Sequence, residues 1–383
     1  MNYFKILVFL QKGDKGDFET PVEEQRTFLN SLPEPHNDID RGYNQYLCQN
    51  FFVAKWKRIL FNTVSFPLFP VVVLYYLLKR MFVHKGEHVD AIIENKGMDE
   101  VVPEVVKTKY APVSKYWAEG SSFSLKDICF LIKLCRKSPL QPFFAFKSMM
   151  NVARYSDMIK RHSPNVMIQF GEFSFSSSIL TSYCHSHGIK HVDIMHGEKI
   201  FCIKDAFHHY DECYVWNDFY INLFLSLRAA PEQHIVALPP SMQIMTERHK
   251  NTHFYADYKY YLESFSEAEI QSIIASMQFA KIAGKTVKYR PHPRYSDVSL
   301  LRKYVGEDEI EYPKEVPILE SISNTDNVVG LFTTVLAQAY YSGINVIMDD
   351  VTYKELYDNC LTLKYMLVEK VQDTLSKHQI LGL

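Results

Sequence analysis

The sequence lacks the signatures of several common nucleotide-binding and hydrolytic sites. Its 383 residues contain no GxxxxGKS or GxxxxGKT phosphate loop, no GxGxxG dinucleotide loop, no GxSxG nucleophile elbow and no HExxH zinc helix. Those patterns place backbone N–H groups, a serine nucleophile or paired histidines where the corresponding chemistry needs them. P-loop, dinucleotide-binding, serine-hydrolase and zincin functions therefore lack support.

Cysteine and net charge are also low. The seven cysteines are odd in number, widely spaced and without a CxxC pair, which argues against a disulfide framework or a zinc site and favours a reducing compartment. His208 and His209 stand near Asp211 and Glu212, but adjacent side chains on a regular element point in different directions, which disfavours a shared metal. The formal net charge of -2 gives no general attraction to nucleic acid. We therefore predict a cytoplasmic protein with no metal, no cofactor and no nucleic-acid partner.

Length and composition predict a folded chain of two domains. The length of 383 residues is large for one core, and 47% hydrophobic with 22% charged residues is typical of globular proteins. The start, MNYFKILVFLQKGDKGD, is typical of a first strand and a glycine-containing loop, and it has no small-residue cleavage site. The predicted domains are residues 1–240 and residues 255–383.

Twenty residues between Arg58 and Lys79 carry no charge and allow three interpretations. The run is long enough to span a bilayer as a helix, but Pro67 and Pro70 are expected to break a helix in its middle. The alternatives are a buried core element and an interfacial membrane contact, which the flanking lysine and arginine residues favour. Residues 55–85 are thus a candidate for contact with the inner face of the cytoplasmic membrane.

Strands and helices alternate along the rest of the chain. Apolar runs at residues 165–170 and 190–195 flank a helical pattern at 176–186. The same order of strand, helix and strand returns at residues 327–350. Because such βαβ units form parallel sheets, the pattern predicts an α/β protein with two Rossmann-like domains.

Two polar clusters follow predicted strands of the first domain, where open parallel sheets bind ligands. MHGEK places His196, Gly197 and Glu198 after a strand. A histidine there can act as a general base near neutral pH, although a structural strand-end role is the alternative. GEFSFSSS places Glu172 after another strand as a candidate for acceptor binding, with a serine-rich helix cap as the alternative.

The segment VKYRPHPRYSD ends a short strand of the second domain in basic residues. Proline fixes its own φ and biases the preceding residue toward extended backbone, so Arg290, His292 and Arg294 are expected on a stiff loop with Pro293. Guanidinium and imidazole groups are good donors to phosphate. The loop therefore predicts an anion site, with an ordinary proline-rich surface turn as the alternative.

A second cluster of this domain, GLFTTVLAQA, lies between a strand and a helix. Thr333 and Thr334 stand at the start of the helix, and Gln338 lies within it. Hydroxyls and free N–H groups at a helix N-terminus bind anions without a lysine, although plain N-capping is the alternative. Together with the basic loop, this cluster predicts a nucleotide-activated substrate.

The combined motifs resemble GT-B glycosyltransferases of bacterial surface-polysaccharide assembly. HG after a strand, a VW strand, the R-P-H-P loop and the pattern GxxTTxxxQAxxxG are similar to families with an HP motif. These families are bacterial sialyltransferases, capsule Kdo transferases and CDP-glycerol glycerophosphotransferases. The resemblance covers about residues 165–351 and implies a GT-B-like fold, in which two Rossmann-like domains with parallel sheets face an interdomain cleft.

The resemblance also implies roles for individual residues. His292 and Pro293 correspond to the HP motif, and His196 to the base of the glycerophosphotransferases. The acidic-acidic-Gly motif of the sialyltransferases is represented here by AEG, so the base remains open between His196, Glu198 and Glu119. Donor-phosphate binding is implied for Arg290, His292, Pro293, Arg294, Thr333, Thr334 and Gln338.

The implied reaction is a metal-independent, inverting transfer of a sugar from a nucleotide-activated donor. A CMP-linked donor, such as sialic acid or Kdo, is one candidate. The implied acceptor is a glycan or lipid-linked glycan of capsule, O-antigen or lipooligosaccharide. Phosphotransfer from a CDP-polyol, epimerisation of a nucleotide sugar and a non-catalytic role in polysaccharide assembly are the alternatives.

Overall fold

The computed structural model describes residues 14–94, 100–116, 120–243 and 254–381, and at residues 94, 114–116 and 381 it describes the backbone alone. The chain forms two compact units. The first unit comprises Met1–His196 and Phe201–Ala237, and the second comprises Gly197–Ile200 and Leu238–Leu383. The predicted strand at the start of the chain and the candidate base Glu119 lie outside the described residues.

The first unit is built on a six-stranded parallel sheet in the order β2-β1-β3-β4-β5-β6. The chain places β2 on one side of β1 and β3 on the other, so the strand order reverses between β1 and β3. In open parallel sheets, ligands bind outside the carboxyl ends of the strands at such a reversal. The strands are β1 (Ala91–Glu94), β2 (Val113–Tyr116), β3 (Val166–Gln169), β4 (Lys190–Ile194), β5 (Glu212–Val215) and β6 (His234–Val236).

Helices of the first unit pack around an aromatic-rich core. Tyr46, Phe144 and Phe175 are buried within it, and their ring centroids lie 5.1 to 5.8 Å apart. Burial of such side chains is the main favourable contribution to folding. The helices are α1 (Val22–Ser31), α2 (Asp38–Phe51), α3 (Lys55–Lys79), α4 (Glu104–Lys109), α5 (Leu125–Lys137), α6 (Pro142–His162), α7 (Ser177–His185) and α8 (Asp218–Ser226).

The second unit is built on a four-stranded parallel sheet in the order β10-β9-β7-β8. Its strand order reverses between β7 and β9. The strands are β7 (Ala256–Tyr261), β8 (Val287–Arg290), β9 (Thr325–Gly330) and β10 (Asn345–Met348). The helices are α9 (Glu267–Ser276), α10 (Gln278–Ile282), α11 (Val298–Leu301), α12 (Ile318–Ser323), α13 (Thr334–Tyr341), α14 (Lys354–Thr362), α15 (Met366–Lys370) and α16 (Leu375–Leu381). The predicted α/β class with parallel sheets is confirmed.

The helix α3 is continuous, and the prediction that its prolines break it is wrong. Pro67 and Pro70 both lie inside it. Each proline removes the N–H that would bond the carbonyl four residues earlier, so the carbonyls deprived of a donor belong to Thr63 and Phe66. Both of these residues are exposed, so solvent can hydrate their carbonyls and the helix survives.

Candidate functional site

A histidine and a buried carboxylate meet at the carboxyl end of the first sheet. His196 follows β4 and Glu172 follows the adjacent strand β3. The imidazole Nδ1 lies 3.9 Å from a Glu172 carboxylate oxygen, and the His196 side chain is 30% exposed while that of Glu172 is 0% exposed. Glu172 is thus a buried carboxyl group beside a partly exposed imidazole. This arrangement suits an imidazole that accepts a proton, because the carboxylate stabilises the imidazolium.

The loop that carries Glu172 is fixed by its backbone. The Gly171 N–H donates to Asp193 Oδ1 at 2.7 Å, and the Gln45 side-chain amide donates to the Glu172 carbonyl at 2.9 Å. Ser177 donates a further hydrogen bond to the Gly171 carbonyl. Glu172 lies close to the order reversal between β1 and β3. Its complete burial places it behind His196, which disfavours the predicted direct contact with an acceptor.

The loop after β8 favours one tautomer of the His292 ring. The Arg294 backbone N–H donates to His292 Nδ1 at 3.1 Å, so Nδ1 carries a lone pair and the ring proton is on Nε2. The Tyr295 ring stacks on the imidazole with centroids 4.4 Å apart. Ser296 accepts from the His292 N–H at 2.8 Å and donates to the Glu263 carbonyl at 2.6 Å. The Nε2–H group is therefore a fixed donor. Its supports, Tyr295 and Ser296, were not among the predicted site residues.

Arg290 does not behave as predicted, because its side chain is 6% exposed and bonded within the interior. One guanidinium nitrogen donates to Glu311 at 2.8 Å and the other to the Val316 carbonyl at 2.8 Å. Glu311 also accepts from Lys259 at 2.5 Å and from Ser321. A charged group engaged in this way stabilises the interior and is not available to a ligand. We therefore correct the predicted contact of Arg290 with the donor phosphate.

The hydroxyl pair after β9 stands at the order reversal of the second sheet. Thr333 occupies the N-cap position of α13, yet its side chain makes no capping hydrogen bond, and Thr334 is exposed. The predicted alternative of plain N-capping by Thr333 is thus not realised. The predicted donor-binding role of Gln338 is corrected, because its side-chain amide donates to the Ser241 carbonyl at 3.1 Å. This bond connects α13 to the turn Pro240–Met242.

The remaining predicted site residues are spread over the second unit. Pro293 and Arg294 are exposed on the basic loop. Glu198 lies in Gly197–Ile200, the short stretch grouped with the second unit. Burial, with the nearby charge of Glu198, raises the pKa of Tyr365 well above its usual value. The structure therefore brings His196 together with Glu172, while Glu198 interacts with Tyr365.

Three residues near the starts of β5 and β6 have side chains that bind metals elsewhere. His208, Cys213 and His234 place their ligand atoms within 4.8 Å of one another, and Cys213 and His234 are paired neighbours in the sheet. The His208 Nδ1 lies 2.9 Å from the Asp205 carbonyl. Zinc with bonds of about 2.0 to 2.3 Å would hold its ligands roughly 3.5 Å apart, so this cluster would have to contract around an ion. Cys213 and His234 lie at the amino ends of β5 and β6, whereas His196 follows the carboxyl end of β4.

The acidic residues near those histidines are engaged in other contacts. His209 pairs with Asp38 at 2.6 Å, and His185 pairs with Asp211 at 2.9 Å. Burial alone would raise the pKa of Glu212, but hydrogen bonds from four side chains to its carboxylate lower that pKa to about 2. The four donors are Lys109, Lys190, Tyr110 and Tyr214.

A buried histidine makes the stability of the first unit sensitive to acid. Burial lowers the pKa of His191 to about 3, and its ring nitrogens contact the Tyr155 and Thr181 hydroxyls. An unfolded histidine has a pKa of about 6.5. Below that pH the unfolded chain binds a proton that the folded chain does not. The contribution of neutral His191 to the free energy of unfolding is therefore complete above about pH 6.5, and it falls by up to about 1.4 kcal/mol per pH unit toward pH 3.

Urea unfolding at about pH 7 and about pH 5 measures this dependence. His191→Gln, which cannot ionise, is expected to be less stable at neutral pH but to lose less stability between the two pH values. Equal losses in the native protein and the variant would contradict the assignment. His185→Gln is a matched control, because the His185 side chain is 45% exposed.

Comparison with known proteins finds similarity only among solved structures. No family model and no curated sequence matches the chain. The lipopolysaccharide outer core galactosyltransferase WaaB is 13% identical over 69% of this chain and 81% of its own, with a TM-score of 0.38. A variant of the wall teichoic acid polymerase TagF is 10% identical over 76% and 80%, with a TM-score of 0.42. UDP-N-acetylglucosamine 2-epimerase from Rickettsia bellii is 9% identical over 73% and 88%, with a TM-score of 0.43. At these identities and TM-scores the likeness assigns no residue a role.

Proposed function

We propose that this chain is a GT-B-type glycosyltransferase, which moves a sugar from a nucleotide-activated donor to a hydroxyl of a glycan or lipid-linked glycan. The observation that carries the proposal is a pair of strand-end sites. One unit presents an imidazole backed by a buried carboxylate. The other presents a tautomer-fixed histidine after β8 and an uncapped helix start after β9. The first supplies a base and the second binds an anion. The motif resemblance to polysaccharide glycosyltransferases supports the same reaction.

The proposed chemistry uses His196 as the base. Its Nδ1 lies toward Glu172, so Nε2 is the nitrogen that we assign to the acceptor proton. The acceptor oxygen forms a bond to the anomeric carbon as the bond from that carbon to the donor phosphate oxygen breaks. The proton passes to His196 and the electron pair leaves with the nucleotide. Glu172 stabilises the imidazolium that results.

The leaving phosphate is assigned to the second unit. The His292 Nε2–H can donate to an oxygen of the leaving nucleotide, and so can the Thr333 and Thr334 hydroxyls with the first N–H groups of α13. The strands β8 and β9 flank β7, so the two anion-binding elements start about 10 Å apart. That spacing suits contacts to different parts of one nucleotide. Inversion at the anomeric carbon and a CMP-linked donor are the finer proposals, and both follow from the motif resemblance.

A donor screen tests the proposed reaction. CMP-, CDP-, UDP- and GDP-linked donors are incubated with a glycan acceptor, and the released nucleotide and the product are identified. Acceptor-dependent release with a new glycosidic bond is the expected result. A phosphodiester product would instead identify a polyol phosphotransferase, and interconversion of the free donor an epimerase. Absence of turnover with every donor would overturn the proposal and favour a non-catalytic assembly role.

His292→Ala is expected to lower donor turnover about 100-fold to 1,000-fold, since it removes a fixed donor to the leaving phosphate. His292→Asn is the sharper variant, because its Oδ1 can still accept from the Arg294 N–H while the donor at the Nε2 position is lost. Steady-state kinetics and far-UV circular dichroism measure activity and folding. Near-normal turnover by a folded H292N protein would rule out this role for Nε2.

A further inference from the structure

The helix α3 carries an unusual concentration of exposed apolar side chains. Of the twenty-four large hydrophobic residues that are exposed in the described part of the chain, twelve lie between Trp56 and Phe82. They recur at helical spacing along one side, as in Trp56, Leu60, Val64, Val71, Leu74, Leu78 and Phe82. Among the described helices, the segment Lys55–Phe82 is the single one that is long and apolar enough to cross a membrane. Its most apolar window has a mean hydropathy of 1.7, and 6% of that window is buried. Length and composition alone are weak evidence of spanning.

The opposite side of this helix is fixed to the first unit. The Phe61 ring stacks on Phe143 with centroids 4.9 Å apart, and the Phe143 N–H donates to Asn62 at 3.1 Å. Lys57 pairs with Asp14 at 2.6 Å near the start of the helix, and Arg80 donates to the Ser156 carbonyl at 2.8 Å near its end. A helix anchored along its length can present its outer side to a bilayer without crossing it.

The backbone favours the lipid interface over the hydrocarbon core. The carbonyls of Thr63 and Phe66 have lost their helical donors to Pro67 and Pro70, and both residues are exposed. An unsatisfied carbonyl is costly in hydrocarbon but is hydrated at the level of the headgroups. Side chains such as Phe66 can still enter the acyl region.

Charge identifies the kind of bilayer. No acidic residue occurs between Asp40 and Glu87, while Lys55, Arg58, Lys79 and Lys85 flank the apolar run. Basic residues at both ends of an apolar helix attract anionic lipid headgroups.

An apolar groove of about 340 Å³ lies between α3 and α5. Phe69 and Val73 of α3 form one wall, Ile128 and Ile132 of α5 form the other, and Arg136 also lines it. An acyl chain matches its apolar lining, and a guanidinium can contact the phosphate of the same lipid.

We propose that the outer face of α3, with the adjoining groove, docks this protein onto an anionic phospholipid bilayer. The helix lies along the surface, its apolar side chains enter the upper acyl region, and its flanking cations contact the headgroups. This inference is independent of the proposed sugar transfer. Its chemistry fits an acceptor held at a membrane.

Vesicle sedimentation without donor or acceptor tests the docking face. The full chain is expected to bind phosphatidylcholine vesicles containing roughly 30% phosphatidylglycerol, and to bind pure phosphatidylcholine more weakly. The double variant Val71→Asp and Leu74→Asp is expected to lower the partition coefficient roughly tenfold or more. Ile282→Asp is the matched control, since Ile282 is 85% exposed on the second unit, and should bind like the native chain.

Two further readouts separate the bilayer from other occupants. Trp56 lies on the proposed face and is 57% exposed, so vesicle binding should shift its fluorescence to shorter wavelength, and Trp56→Phe should remove that shift. The native chain remaining in the supernatant with every vesicle would overturn the proposal. So would a stable dimer in lipid-free gel filtration that the double variant dissociates, because a second copy would then cover the face. Circular dichroism confirms that each variant is folded.

Discussion

His196→Ala is expected to lower the transfer rate about 100-fold to 10,000-fold without unfolding the protein, which is the usual effect of removing a general base. The side chain is 30% exposed, so its loss leaves only a small defect in packing. The buried Glu172 carboxylate would then lie beside a truncated side chain with no imidazolium to stabilise. Initial rates over a range of acceptor concentrations measure the loss, which should fall mainly on kcat.

Two variants distinguish a base from a merely structural residue. Glu172→Gln keeps the shape of the side chain but removes the carboxylate that favours the protonated imidazole. The ascending limb of the pH–rate profile should therefore shift to lower pH, and the maximal rate should fall. His185→Ala changes a histidine whose side chain is 45% exposed and paired with Asp211, and should leave activity unchanged. Full activity of H196A would reject the base.

Glu311→Ala is expected to destabilise the second unit by about 3 to 5 kcal/mol, which is enough to unfold many domains. Glu311 and Lys259 have side chains that are 0% exposed, and Arg290 is 6% exposed. Removing the carboxylate leaves two cations buried without their shared anion, and the hydroxyl of Ser321 loses its acceptor as well. Urea unfolding followed by far-UV circular dichroism measures the change.

A neighbouring ion pair provides the control. Glu309 pairs with Lys281, and both side chains are about one quarter exposed, at 26% and 27%. Such pairs contribute roughly 0 to 1 kcal/mol, so Glu309→Ala should unfold close to the native midpoint. The three tryptophans, Trp56, Trp117 and Trp216, all precede residue 238, so their fluorescence reports on the first unit. If Glu311→Ala and Glu309→Ala had equal midpoints, the interior role of Glu311 would be refuted.

Sequence periodicity predicted the elements with strong local patterns and missed those without them. The strand, helix and strand predicted within residues 327–350 are confirmed as Thr325–Gly330, Thr334–Tyr341 and Asn345–Met348. The strands Ala91–Glu94 and Val113–Tyr116 are only four residues long, and they lie outside the residues for which the sequence predicted strands. Their place in the sheet comes from pairing with each other and, for Ala91–Glu94, with β3. Long-range pairing of this kind leaves little trace in a short sequence window.

The candidate site was predictable by residue type and position, but not by direction. His196 and His292 both follow strands, as the sequence indicated. Arg290 is the last residue of β8, and a one-residue difference in position along a strand reverses the side to which a side chain points. Its partner Glu311 lies twenty-one residues further along the chain, so no local pattern could show that the arginine is already paired. The pairing of Glu172 with His196 is equally non-local.

The stacked and hydrogen-bonded ring of His292 has a thermodynamic consequence. An unrestrained side chain loses rotamer freedom when a ligand immobilises it, at a cost of about 0.5 to 1.5 kcal/mol for each ordered side chain. Here Tyr295 and the Arg294 N–H already confine the imidazole. Most of that conformational entropy is therefore lost when the second unit folds, and the anion proposed to bind there would meet a donor that is already ordered.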